Sequence, residues 1–157
     1  MSNSAYSDKH KFVDEFSLKI EELGHQRIYG QILAWLLICN PPHQSFTDLM
    51  ENLEISKASV SNVTRLLLGQ GLIEKVRIKG ERQIYFKLKE GSLIDFMERQ
   101  LKLTSELENI TKKGLELALS DQQTDHTRLK KANDFHHFLA EQTKEMLQKY
   151  KNENELS

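Results

Sequence analysis

Residues 45–88 read SFTDLMENLEISKASVSNVTRLLLGQGLIEKVRIKGERQIYFKL. Ser45 and Asp48 have the spacing of a capping box, which opens a short helix over Phe46 to Leu53. Phe46, Leu49 and Leu53 supply its buried face, and Ile55 packs in the turn that follows. Ser56 is an N-cap for a second helix that runs to Gly69 or Gln70, and Gly71 ends it. LIEKVRI and RQIYFKL then read as strands around the turn Lys79-Gly80-Glu81. Val76, Ile78, Ile84, Phe86 and Leu88 follow the two-residue alternation of a half-buried hairpin. Helix, tight turn, helix and hairpin in this order are the layout of a winged helix-turn-helix. That module lays its second helix in the DNA major groove.

The second helix can be resolved into faces. At about 100° per residue, Val60, Val63 and Leu67 fall together and point inward. The opposite face presents Ala58, Ser61, Asn62 and Arg65, with Lys57 at the entry. None of these is acidic, whereas a helix made for bulk water usually carries Glu–Lys pairs. Entry into a groove calls for small residues and a few donors. Arg can bond guanine bidentately, Asn can do so with adenine, and an Ala methyl can touch a thymine methyl. Asn62 and Arg65 are therefore expected on base edges, Ser59 and Ser61 on bases or phosphates, and Lys57 on phosphate. The bland alternative is a polar face that is merely exposed.

Charge is distributed unevenly. The chain has 157 residues and a net charge of −1, which argues against a simple polybasic binder. Residues 45–89 carry eight Lys/Arg against five Asp/Glu, while residues 90–157 carry ten against thirteen. Cations gather in the hairpin, so Arg77, Lys79 and Arg82 are expected to meet phosphate. A solvated amphipathic hairpin would show the same asymmetry.

The flanks read as helical. Phe12, Phe16, Ile20 and Leu23 have helical spacing over Asp8 to Leu23, with Gly24 as a stop. Gln26 to Cys39 is apolar nearly all round through Ile28, Ile32, Leu33, Trp35, Leu36, Leu37 and Ile38, so it belongs in the domain centre. Asn40-Pro41-Pro42 ends it. Beyond the hairpin, Phe96, Leu103, Ile110 and Leu117 recur every seven residues, joined by Leu93 and Leu107. Polar residues over Ser120–Asp125 interrupt the pattern. A second helix then carries Leu129, Ala132, Phe135, Leu139, Met146 and Tyr150 on one side, and the terminal KNENELS is expected to fray. A partner chain is the expected cover for these helices, and an intrachain hairpin is the alternative. The expected organisation is an N-terminal dimerisation helix over residues 1–25, the winged domain over 26–90 and a helical dimerisation arm over 91–157. The fold class is mainly α with a small β-hairpin wing.

Other classes find little support. There is no HExxH, P-loop, GxSxG or GxGxxG pattern, so no enzyme is expected. The adjacent His136 and His137 point about 100° apart, and no other histidine has ligand spacing, so neither metal nor cofactor is expected. The single Cys39 has no disulfide partner and reads as a packed thiol rather than an oxidation sensor. The N-terminal residues lack the apolar core of a signal peptide, and ILAWLLIC is too short to span a bilayer. A cytoplasmic setting with no membrane association follows as the expectation.

Three strings carry a family resemblance: RIYGQILAWLLICNPP (27–42), SFTDLMENLEISKASVSNVTRLLLGQGLIEKV (45–76) and KGERQIYFKL (79–88). Together they cover most of residues 12–90, and the chain resembles the MarR superfamily of winged helix-turn-helix regulators. The entry RIYGQILAWLL with its following Pro pair is most similar to the GbsR-like branch. The resemblance implies a homodimer on a pseudo-palindromic double-stranded operator, acting as a repressor and responding to a small-molecule effector. Trp35, Tyr29, Phe12 and Phe16 could wall an effector pocket, although the same residues serve equally as core, and no ligand-binding residue is assigned. Many members carry an Asp-Arg pair in the wing. Here the turn is Gly80-Glu81-Arg82, so by position Arg82 is the minor-groove arginine, without the usual aspartate beside it. The competing reading is a winged helix used as a protein-assembly module without sequence-specific DNA binding.

Overall fold

A computed structural model describes residues 2–121 and 125–154. The described elements run α1 (Ser2–Glu22), α2 (Arg27–Ile38), β1 (Gln44–Ser45), α3 (Phe46–Leu53), α4 (Lys57–Gly69), β2 (Ile73–Arg77), β3 (Ile84–Leu88), α5 (Ser92–Leu119) and α6 (Thr127–Glu153). They form two compact units that divide between Ser92 and Leu93, just past the expected limit at residue 90. By packing, α1 belongs to the same unit as the winged elements.

The first unit is built around α2. Ile32 and Ala34 are fully buried, and Trp35, Leu36 and Tyr29 nearly so. Helices α1, α3 and α4 and strand β3 pack around it. The polar tips of its aromatic residues are satisfied: the Trp35 indole donates to Gln44 Oε1 at 2.9 Å, and the Tyr29 hydroxyl to Gln70 Oε1 at 2.6 Å. The all-round apolar reading fails at Leu37, which stays 53% exposed on the side those neighbours leave open.

The expected buried face of α1 also needs correction. Phe12 lies at the edge and Leu23 is largely exposed, while Val13 and Ser17 turn inward. The cause is the closeness of the two helices. A Cβ added to Gly30 would stand 2.7 Å from the Ser17 Cα, so only a missing side chain lets the backbones meet. The Ser17 hydroxyl, fully buried there, donates to the Asp14 carbonyl at 3.0 Å. The helix also starts six residues before the expected Asp8, since residues 2–7 hold no Gly or Pro to stop it.

In the second unit α5 and α6 run antiparallel. Glu98 pairs with Lys151, Asn133 Nδ2 donates to the Glu108 carbonyl at 2.8 Å, and a Leu129 methyl lies over Gly114. Asn133 also donates to Thr111 Oγ1 at 3.0 Å, and His137 Nδ1 lies 2.8 Å from Glu108 Oε1. An intrachain hairpin therefore exists, but the seven-residue stripe does not form its seam. Ala118, Ala140 and Leu147 are buried, whereas Leu103, Ile110 and Leu117 are exposed. Each of those three lies two residues beyond a seam residue (Leu101, Glu108, Leu115), which places it about 160° around the helix. Residues 122–124 of the polar break, and 155–157 of the tail expected to fray, lie outside the described residues. Helix α6 itself persists through Glu153.

Gly30→Ala is expected to lower stability by about 1–3 kcal/mol through overpacking against Ser17. Urea denaturation measures this, and an unchanged midpoint would show that α1 is not held at that contact.

Candidate nucleic-acid interface

The helix-turn-helix is assembled by local hydrogen bonds that the sequence encodes. Asp48 N–H donates to Ser45 Oγ at 3.1 Å and Ser45 N–H to Asp48 Oδ2 at 2.7 Å, completing the capping box of α3. The helix closes on Glu54, which takes a left-handed conformation at φ 52°. Ser56 then caps α4, its Oγ accepting from Ser59 N–H at 3.2 Å. At the far end Gly71, at φ 68°, makes a Schellman motif: Leu72 N–H donates to Leu67 O and Gly71 N–H to Leu68 O, each at 3.0 Å.

Between these caps the rotation of α4 is set by what it buries. Val60 and Leu67 are fully buried and Val63 nearly so. Thr64 is also buried, with its hydroxyl donating to the Val60 carbonyl at 2.7 Å. Lys57, Ala58, Asn62 and Arg65 are exposed, as the face analysis requires. Ser59 and Ser61 sit half-buried on the flanks. The Ser59 hydroxyl lies 2.8 Å from that of Ser56, and Ser61 Oγ lies 3.5 Å from an Arg65 guanidinium nitrogen. Leu66, one turn beyond Asn62, is 49% exposed on the same side. The sequence reading missed it, because a leucine there suggests core rather than groove.

The wing departs from a simple hairpin. Strand β1, only Gln44–Ser45, pairs with β3, so the sheet order is β1-β3-β2. Ser45 lies opposite Tyr85 on one side, and Val76 lies opposite Tyr85 on the other. As the central strand, β3 buries both Tyr85 and Phe86, so the expected strict alternation does not hold there. Between β2 and β3, Glu81 N–H donates to the Ile78 carbonyl at 3.0 Å, with Gly80 at φ 91° as the third residue of the turn. Arg77, Lys79 and Arg82 are exposed. Among the described residues no carboxylate pairs with Lys57, Arg77, Lys79 or Arg82, whereas Lys87 is paired with Glu74 at 3.3 Å across the hairpin. The unpaired cations are those available to phosphate.

Tyr85 anchors the loop that carries Arg82. Its hydroxyl donates to the Glu81 carboxylate and accepts from the Gln83 amide. The Tyr85 ring is edge-on to His43, with centroids 5.0 Å apart. The Glu81 hydrogen bond pushes the phenol above its ordinary value of 10.0, so it remains a donor throughout the physiological range. A cleft of about 640 Å³ opens beside these groups, lined by Trp35, His43, Asp48, Asn52, Glu81 and Tyr85. Cys39 is buried, and desolvation raises its thiol above the usual range. Among the described residues no group of three or more His, Cys, Asp or Glu could hold a metal ion. No described helix is long and apolar enough to cross a membrane.

These elements define a winged helix-turn-helix protein. A family model described as MmpR5-like MarR family transcriptional regulator matches residues 91–153. The chain is 30% identical over 124 residues to the HTH-type transcriptional regulator MmpR5 of Mycobacterium tuberculosis, covering 79% of this chain and 74% of that protein. A solved crystal structure of a transcriptional regulator superposes with a TM-score of 0.77 at 26% identity, covering 92% of this chain and 99% of that one. The chain belongs to the MarR family of DNA-binding transcriptional regulators. These relatives are regulators rather than enzymes.

Ser56→Ala is expected to cost about 1 kcal/mol by uncapping α4, whereas Ser56→Asp should keep the cap and most of the stability. Chemical denaturation of the two variants compares them, and equal midpoints would mean that the Ser59 hydrogen bond contributes nothing.

Proposed function

We propose that this chain is a homodimeric, sequence-specific repressor of transcription, working in the cytoplasm on a pseudo-palindromic operator and released by a small-molecule effector. The observation that carries the reading is the outward face of α4. It is capped at both ends, free of acidic side chains and uncovered, with unpaired cations on the wing. In this reading Asn62 and Arg65 contact base edges, and Ala58 gives close approach. Lys57, Ser59 and Ser61 hold the backbone, while Arg77, Lys79 and Arg82 follow phosphate and the minor groove. The kinship with GbsR-like regulators carried by residues 27–42 belongs to the same proposal.

Dimerisation is supported by apolar surface that the hairpin leaves outside. Leu103, Ile110 and Leu117 on α5, and Phe135, Phe138 and Met146 on α6, are all half-exposed or more. A second copy is the cover that a twofold operator requires. In this reading residues 91–157 are the dimerisation arm, and the N-terminal helix over residues 1–25 contributes to the same interface. The cleft beside the wing offers the effector room next to residues that hold Arg82.

A gel shift with DNA from upstream of the chain's own gene tests the reading. Retardation that survives excess random DNA is expected, and its absence with a folded dimer would favour a protein-assembly module. Affinity should fall steeply with salt as phosphate contacts release counterions. Arg65→Ala should relax base preference at a cost of about 1–3 kcal/mol, and an unaltered preference would remove Arg65 from the bases. Ile110→Glu should shift light-scattering mass from dimer towards monomer. A dimer that persists unweakened would take that stripe out of the interface.

A further inference from the structure

Arg82 lacks the aspartate that commonly accompanies a wing arginine, and the chain from Glu81 to Tyr85 shows what stands in its place. Residues 81–83 precede β3 as irregular backbone with a bend at Gln83, and Arg82 lies exposed between two residues whose side chains both reach Tyr85. One phenol holds both neighbours of the arginine, donating to Glu81 and accepting from Gln83. The phenol is itself fixed. Tyr85 is buried in the central strand, paired with Ser45 and Val76 on its two sides, and its ring meets His43 edge-on. Ser45 in turn caps α3, so the arginine is referenced to the same residue that begins the helix-turn-helix.

We propose that Tyr85, acting through Glu81 and Gln83, is a positioning residue for Arg82. It fixes the wing tip so that the guanidinium is presented to DNA without a search over loop conformations. Ordering the loop in advance removes an entropy cost that binding would otherwise bear. Glu81 has a role opposite to its charge. A carboxylate near phosphate should weaken binding, yet here it holds the arginine in place.

This inference rests on the wing meeting DNA, so the test separates the two. The probe is the tightest-binding duplex selected from a random pool, with affinity and salt slope measured for each variant. Tyr85→Phe keeps the ring and strand but removes both hydrogen bonds, and should lower affinity about three- to tenfold with the thermal midpoint nearly unchanged. In an Arg82→Ala background the same substitution should cause no further loss. Glu81→Ala, on the exposed loop, serves as the second variant should Tyr85→Phe fold poorly. Simple electrostatics makes Glu81→Ala bind tighter, whereas positioning makes it bind weaker, and Glu81→Gln, which keeps an acceptor, should retain affinity. If Arg82→Ala binds like the parent, the wing is not at the DNA and both ideas fall. If Arg82→Ala weakens binding while Tyr85→Phe and Glu81→Ala do not, the wing reading stands and the positioning role is overturned.

Discussion

The packing of Val60, Val63 and Leu67 into the first unit is the constraint from which the other features of the interface follow. One residue of rotation is about 100° on a helix, enough to carry Asn62 or Arg65 from solvent into the core. Burying three branched side chains contributes several kcal/mol, far more than any exposed polar contact on the outer face. The inner residues therefore choose what the outer residues present. The caps at Ser56 and Gly71 then fix where along its axis that face begins and ends.

A second constraint lies behind the first. Helix α2 can sit at the centre only because α1 approaches it backbone to backbone at Ser17 and Gly30. Larger residues there would hold α1 away and open α2 to water. The wing is tied into the same body through β1, whose two residues join the cap of α3 to the central strand. Helix α4 and the wing are thus held to a single frame, although they are separate in sequence.

Much of this was legible from residues alone. The limits of α3 and α4 followed because capping residues act within one turn, and the outward face of α4 followed because helical periodicity fixes it. Strand β1 was not legible: two residues make no pattern, and Gln44–Ser45 becomes a strand only because β3 lies beside it. The face of α1 was misjudged because Phe12 and Leu23 are its most apolar residues, while the contact is governed by its smallest. The α5–α6 seam was hidden for a related reason. Heptad spacing finds the most apolar stripe, but Glu108, Thr111 and Asn133 hold this hairpin by hydrogen bonds. The hydrogen bonds of Tyr85 to Glu81 and Gln83 were not legible either, because they depend on a loop path that no local rule encodes.

Cys39 gives the molecule an internal gauge. It is the one cysteine in the chain, it is buried at the end of the central helix, and desolvation keeps its thiol protonated. A thiol reagent in neutral solution must wait for that region to open before it can react. The pace of labelling therefore records how often the C-terminal end of α2 opens, at a single known position and without an engineered cysteine.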